Sequence, residues 1–271
     1  MSALTFTPIP AFADNYFWLL ERAGRAAVVD PGDAAPVRRA LDQRGLQLDA
    51  ILITHHHLDH IGGLRALKAA FDVPVYGPAA EAAQIPGLSR TLREGDRIRL
   101  DTLAVELEVW EVPGHTLGHI AYISVDSGAG APGKSDQFVL CGDTLFSAGC
   151  GRLFEGTAQQ LHHSLTRLAS LPPDTRVYCT HEYTLSNLAF AAAVEPGNRT
   201  VADEIARVRA LRARDEPSLP SSIGHERRIN PFLRTAEPAV ARAASQQAGR
   251  PLEGSAEVFA ALRRWKDGFR T

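Results

Sequence analysis

The densest concentration of chemistry-bearing side chains in this 271-residue chain is Thr54-His55-His56-His57-Leu58-Asp59-His60. Imidazole and carboxylate are the donor types that suit zinc, iron and manganese. The apolar run AILIT (Ala50–Thr54) before it reads as a buried strand, and a helix is predicted to begin near Asp59. In extended chain, residues two apart point to one side, so His55 and His57 converge. The turn into the helix re-aims the backbone and lets Asp59 and His60 face a second point nearby. A histidine-rich surface loop is the bland alternative. Three further candidates each follow an apolar run: His115 in Pro113-Gly114-His115-Thr116, Asp143 after FVLC, and His181 after RVYCT. Singly, each reads as a turn or capping residue. Beside an H-x-H-x-D-H motif they read as further ligands meeting at one rim of a sheet.

Positioning such a set requires strands that end together. YFWLL (Tyr16–Leu20), AAVVD (Ala26–Asp30), VPVY (Val73–Tyr76), AYISV (Ala121–Val125), FVLCGD (Phe138–Asp143) and RVYCT (Arg176–Thr180) have the look of buried strands. LAVELEVW (Leu103–Trp110) alternates and should keep one solvated face. Ile61, Leu64, Leu67 and Phe71 fall at helical spacing, as do Leu161, Leu165 and Leu168. Ser127–Asp136 is Gly/Ser/Pro-rich and is predicted to be a surface connection. After about His181 the pattern turns helical. Thr200 and Asp203 suggest a capping box before Val201, Ile205, Val208 and Leu211. A helix is predicted from about Glu237 to Ala248 with Gly249 ending it, and another from near Ser255 with Val258, Leu262, Trp265 and Phe269 buried. The fold class expected is therefore α/β, a catalytic domain at 1–182 followed by a small helical domain at 183–271.

Composition excludes several classes. Hydrophobic residues make up 45% and charged residues 22%, enough for a real core, and a formal net charge of −2 gives no draw toward nucleic acid or acidic membranes. No secretory leader or bilayer-length apolar run is visible, LAFAAAV at Leu188–Val194 being the longest. Cys141, Cys150 and Cys179 are too few for a disulfide scaffold and form no Cys-x-x-Cys pair. The expectation is a cytoplasmic protein with no protein, nucleic-acid or membrane partner.

H-x-H-x-D-H, then Gly-His, Gly-Asp and a late His, in that order, resemble the metallo-β-lactamase-fold hydrolases. GDTLFSAGCGRLFEGT (Gly142–Thr157), THEYTLSN (Thr180–Asn187), INPFLR (Ile229–Arg234) and LRRWKDGF (Leu262–Phe269) narrow the resemblance to the hydroxyacylglutathione hydrolases, or glyoxalase II family. The resemblance implies a metallo-β-lactamase-like αββα sandwich with a C-terminal helical domain. It also implies two divalent metals, zinc first with iron or manganese as alternatives. His55, His57 and His115 would hold one, and Asp59, His60 and His181 the other, with Asp143 bridging. The implied reaction is hydrolysis of S-(2-hydroxyacyl)glutathione, typically S-D-lactoylglutathione, to glutathione and D-lactate in methylglyoxal detoxification. The nucleophile would be a metal-bridging hydroxide that Asp59 orients. His56, His119, His162, His163 and His225 are read as positioning, structural or surface residues.

Arg263 and Lys266 are neighbours on one face of the last helix, which alone would read as a solvated basic face. The resemblance assigns them to the glycine carboxylate of glutathione, with Tyr183, Arg152 and Phe154 as further substrate contacts. Arg152 and Phe154 depart from the Lys and Tyr of some members, and Phe154 removes one hydroxyl hydrogen bond. A thiol, with a pKa near 8.5, can leave as thiolate without a dedicated general acid, which favours a thioester over an amide. The alternative is a glutathione persulfide dioxygenase using one iron on the same fold; the complete second donor set argues against it.

Overall fold

The structure, a computed structural model, describes residues 2–125 and 137–270, so the connection expected at Ser127–Asp136 lies outside the described residues. Two compact units divide the chain. In the first, β1 (Thr5–Ala11), β2 (Asn15–Arg22) and β3 (Arg25–Val29) form an antiparallel meander. Helix α1 (Ala34–Arg44) crosses to β4 (Gln47–Leu52), which runs parallel to β3. The short helices α2 (Leu58–Ile61) and α3 (Leu64–Ala70) lead to β5 (Val75–Pro78) and β6 (Arg90–Leu92), which extend the sheet in parallel. A second antiparallel meander follows in β7 (Arg97–Leu100), β8 (Val105–Glu111), β9 (Ile120–Ser124) and β10 (Phe138–Gly142).

The apolar runs of β2, β3 and β4 are continuous because both of their faces are covered. One face places Phe17, Leu19, Val28, Ile51 and Ile53 in a cluster with Val37 and Leu41 of α1 and Leu64 and Leu67 of α3. The alternate residues Trp18, Leu20, Ala27, Val29 and Leu52 are buried as well. Tyr122 of β9 donates its hydroxyl to the Ile53 carbonyl at 2.8 Å. Each such large side chain contributes about 1.5–3 kcal/mol by leaving water. As its alternation predicts, β8 buries Leu107 and Val109, while Arg97 bridges Glu106 and Glu108 on the wetter side at 3.4 and 3.1 Å.

Two departures from the sequence reading have clear causes. Ile61–Phe71 is not one helix: Gly62 and Gly63 break it, because the α2 turn presses on the Pro31–Gly32 backbone. A Cβ on Gly32 would sit 1.9 Å from the Asp59 carbonyl oxygen, and one on Gly63 2.5 Å from that of Pro31. Strand β1 was not legible because Pro8 and Pro10 interrupt it; an edge position tolerates the missing donors.

The second unit holds the hairpin β11 (Leu145–Phe146) and β12 (Gly149–Cys150), helix α4 (Ala158–Leu168) and β13 (Arg176–Cys179). Helices α5 (Thr184–Val194) and α6 (Arg199–Arg212) come next, then β14 (Ser221–Ser222), α7 (Ile223–Ile229), α8 (Pro238–Ala248) and α9 (Gly254–Gly268). Leu188 and Ala191 of α5 pack with Val201 and Val208 of α6 and Ile229 of α7. Phe190 meets Phe232, Trp265 and Phe269 at 5.3–5.9 Å between ring centres. Gly249, in the left-handed conformation, ends α8 as expected. The cap of α6 differs from expectation: Asn198, not Thr200, accepts the Val201 N–H. No helix among the described residues is long and apolar enough to cross a membrane.

Candidate metal centre

The first unit supplies the H-x-H-x-D-H side chains from the segment joining β4 to α2. His55 and His60 are buried, and Asp59 is half-exposed. His55 Nε2 lies 3.1 Å from His57 Nδ1, a separation suited to two ligands converging on one ion. His60 Nε2 lies 3.4 Å from Asp59 Oδ2, and the same carboxylate oxygen accepts a hydrogen bond from Asn15 Nδ2 at 3.1 Å. Behind them stands Asp30, 1% exposed, which accepts from Thr54 N at 2.8 Å and Thr54 Oγ1 at 2.7 Å and faces His60 Nδ1 at 3.2 Å. His60 Nδ1 thus lies beside one carboxylate and its Nε2 beside another, that of Asp59. His56 points away from its neighbours, as expected, and pairs with buried Glu81 at 2.9 Å. His119 is fully buried and stacks on His55 at 4.6 Å, setting that ring's plane.

The second unit supplies His115, Asp143 and His181. Asp143 presents its oxygens to different rings: Oδ2 is 3.4 Å from His115 Nε2 and Oδ1 is 3.3 Å from His181 Nε2. Thr180 Oγ1 donates to Oδ1 at 2.5 Å. His115 Nδ1 lies 2.9 Å from the Arg152 carbonyl, so it donates there and Nε2 carries the ring's lone pair. Among the described residues, His55, His57, Asp59 and His60 bring donor atoms together within the first unit, and His115, Asp143 and His181 do so within the second. Neutral imidazoles with oriented tautomers and carboxylates able to reach two neighbours fit divalent ions, and the His/Asp clusters support a dinuclear site.

The expected substrate contacts lie in the second unit. Tyr183 stacks on His181 at 4.7 Å with 5° between the planes. Phe154 is 63% exposed and meets the His115 ring edge-on at 5.3 Å. The Arg152 side chain is exposed. Arg263 is only 4% exposed. Its Nη1 donates to the Cys150 carbonyl at 3.0 Å, and its Nη2 to Asp267 at 2.9 Å. Lys266 donates to the Ser186 carbonyl at 3.1 Å and hydroxyl at 3.2 Å. Burial, reinforced by the Arg263 and Arg152 charges, lowers its pKa to about 8. Burial pushes the Cys150 thiol up to about 11 despite Arg263 alongside, so it is no thiolate nucleophile.

Asp30, Asn15 and Thr180 carry no site role in the sequence reading, and His119 is read there only as a structural or surface histidine. Each has its partner far along the chain, and of the four only Thr180 directly flanks a recognised ligand.

Residues 13–181 match the sequence profile of the metallo-beta-lactamase superfamily, which defines the class of fold. Residues 182–269 match that of the hydroxyacylglutathione hydrolase C-terminus. A hydroxyacylglutathione hydrolase of Cupriavidus taiwanensis is 55% identical over 98% of this chain and 100% of its own. One of Pseudomonas fluorescens is 53% identical over 98% and 100%. Among solved structures, TTHA1623 in a di-iron-bound form is 28% identical with a TM-score of 0.59, covering 84% of this chain and 100% of that one. The chain belongs to the hydroxyacylglutathione hydrolase family of the metallo-beta-lactamase superfamily.

Proposed function

We propose that the chain hydrolyses S-(2-hydroxyacyl)glutathione thioesters, typically S-D-lactoylglutathione, to glutathione and a 2-hydroxy acid, within methylglyoxal detoxification in the cytoplasm. The observation that carries the reading is Asp143, whose two oxygens each face a different histidine. His55, His57 and His115 would hold one ion, Asp59, His60 and His181 a second, and Asp143 both. Zinc is the metal proposed, since tetrahedral imidazole–carboxylate sets suit it. Two such ions, when bound, lower the pKa of a shared water toward about 7 and polarise a carbonyl.

The chain's own residues do the rest. Asp59, steadied by Asn15, orients the attacking water. Tyr183 and Phe154 wall the site beside His181 and His115. Lys266 and Arg263, with Arg152, bind the carboxylate end of glutathione: three cations that repel one another gain from an anion placed among them. Residues 1–182 then serve as catalytic domain and 183–271 as substrate-binding domain, a division supported by the strands, of which, among the described residues, only the two-residue β14 follows His181. Cys141, Cys150 and Cys179, none of them in a disulfide, suit a reducing compartment.

The test is cleavage of S-D-lactoylglutathione by protein whose metal content is measured on the same sample. Cleavage with two zinc ions per chain supports the reading; two metals without cleavage discards the substrate, and one iron with oxygen uptake on glutathione persulfide replaces the reaction. The depressed pKa of Lys266 adds a pH signature. Its charge is lost as pH rises through about 8, so KM for the thioester should climb between pH 7 and 9 by up to about tenfold, as the charged fraction falls from about nine-tenths to about one-tenth. In Lys266→Met the KM should be high and flat. A flat wild-type profile would remove Lys266 from substrate binding.

A further inference from the structure

Between α5, the start of α6 and α8 lies an open cleft of about 650 Å³ that shares no residue with the metal centre or the substrate contacts. Small residues, Gly197 on the connecting turn and Ala239 and Ala243 of α8, keep it open. Its charge is unbalanced. Glu195 is committed to Arg234 through a two-pronged pair at 2.7 and 2.9 Å. Arg228 and Arg242 also line it, and no carboxylate answers either one. The Arg228 guanidinium contacts His225 Nδ1 at 3.3 Å. Arg242, on the exposed face of α8, makes no hydrogen bond or ion pair among the described residues.

The start of α6 deepens the imbalance. Its first turn holds no acidic side chain, and the Asn198 side chain takes the Val201 N–H. The N–H groups of Arg199 and Thr200 have no intrahelical acceptor, and Thr200 lines the cleft. Two guanidinium groups from separate elements, a hydroxyl and the positive end of a 14-residue helix offer donors from several directions. A tetrahedral dianion with three or more oxygens meets such a set better than a planar carboxylate, which one guanidinium already satisfies.

We propose that this cleft binds a phosphate group, as free phosphate or on a small phosphorylated metabolite. The site is separate from thioester hydrolysis and does not depend on that reading. Isothermal titration of the full, metal-loaded chain with inorganic phosphate and with glucose 6-phosphate, against chloride at matched ionic strength, tests it. Saturable binding of one anion per chain with Kd below about 1 mM is expected. Arg242→Glu and Arg228→Glu, both at exposed positions, should each weaken it by about tenfold or more while leaving the circular dichroism unchanged. Tighter binding of phosphate identifies the free anion as the ligand, and tighter binding of glucose 6-phosphate a monoester. Absence of saturable binding overturns the proposal, as does binding that survives Arg242→Glu, which would belong to the metal centre.

Discussion

Asp143→Ala is expected to lower kcat/KM for S-D-lactoylglutathione by about 10³-fold or more, equivalent to roughly 4 kcal/mol of transition-state stabilisation, and to cut the bound metal from two ions to one or none. The size follows from the side chain's two commitments. Oδ2 faces His115 and Oδ1 faces His181, at 3.4 and 3.3 Å, and Thr180 pins the second oxygen. Alanine removes a negative charge and both contacts at once. Asparagine keeps the shape and one oxygen but no charge, so Asp143→Asn should fall between wild type and alanine in metal content. Elemental analysis beside steady-state kinetics reads both. An alanine variant that retains two metals and near-wild-type turnover would end the bridging role.

The donor set was legible in the sequence because type and spacing both signalled it. His55, His57, Asp59 and His60 stand within six residues at a strand-to-helix turn, where local geometry alone decides which way each points. His115, Asp143 and His181 share a simpler signal, a polar residue just past an apolar run. What surrounds them carried no such signal. Asp30 is one aspartate at a strand end, and its partners Thr54 and His60 lie 24 and 30 positions away, a relation only the parallel pairing of β3 with β4 creates. His119 looked like any structural histidine; its contact with His55 depends on β9 approaching β4, as the Ile120 N–H bond to the Thr54 carbonyl at 3.0 Å records.

The helical half shows the same division. Gly249 marks the end of α8, and Val258 and Leu262 mark the buried face of α9, since those are local properties, whereas Trp265 and Phe269 of the same stripe are only half-buried. The buried network that holds the β11–β12 hairpin is not local. Asn230 donates to the Phe146 and Gly149 carbonyls at 3.2 and 2.9 Å, Asn187 to that of Ser147 at 3.0 Å, and Glu226 accepts from Ala148 N at 2.8 Å. Burial raises the Glu226 pKa, and these donors oppose that shift. INPFLR thus contributes to the site through backbone placement between Asp143 and Arg152, a role its letters do not announce.

Asp30 gives the second large expectation. The residue sits at φ +51°, in the left-handed region, where Asn is tolerated and Ala is strained. Asp30→Asn therefore isolates the carboxylate's chemistry from the backbone's. Its amide nitrogen would have to face the Thr54 N–H, a donor to the present carboxylate, or the Thr54 hydroxyl and His60 Nδ1 beside the other oxygen. Metal affinity at the His60 position should fall by about 10–100-fold, the usual cost of removing a partner that orients a ligating histidine. Stability should fall by about 1.5–3 kcal/mol through the lost charge-assisted bonds. Asp30→Ala should cost more on both counts, because strain adds to the empty acceptor site. Chelator competition measures the first quantity and urea unfolding of the metal-loaded chain the second. If Asp30→Asn holds both ions as tightly as wild type, the aspartate serves only to anchor the Thr54 turn, and the His60 ring must take its orientation from its tilted contact with His55, whose centre lies 4.1 Å away.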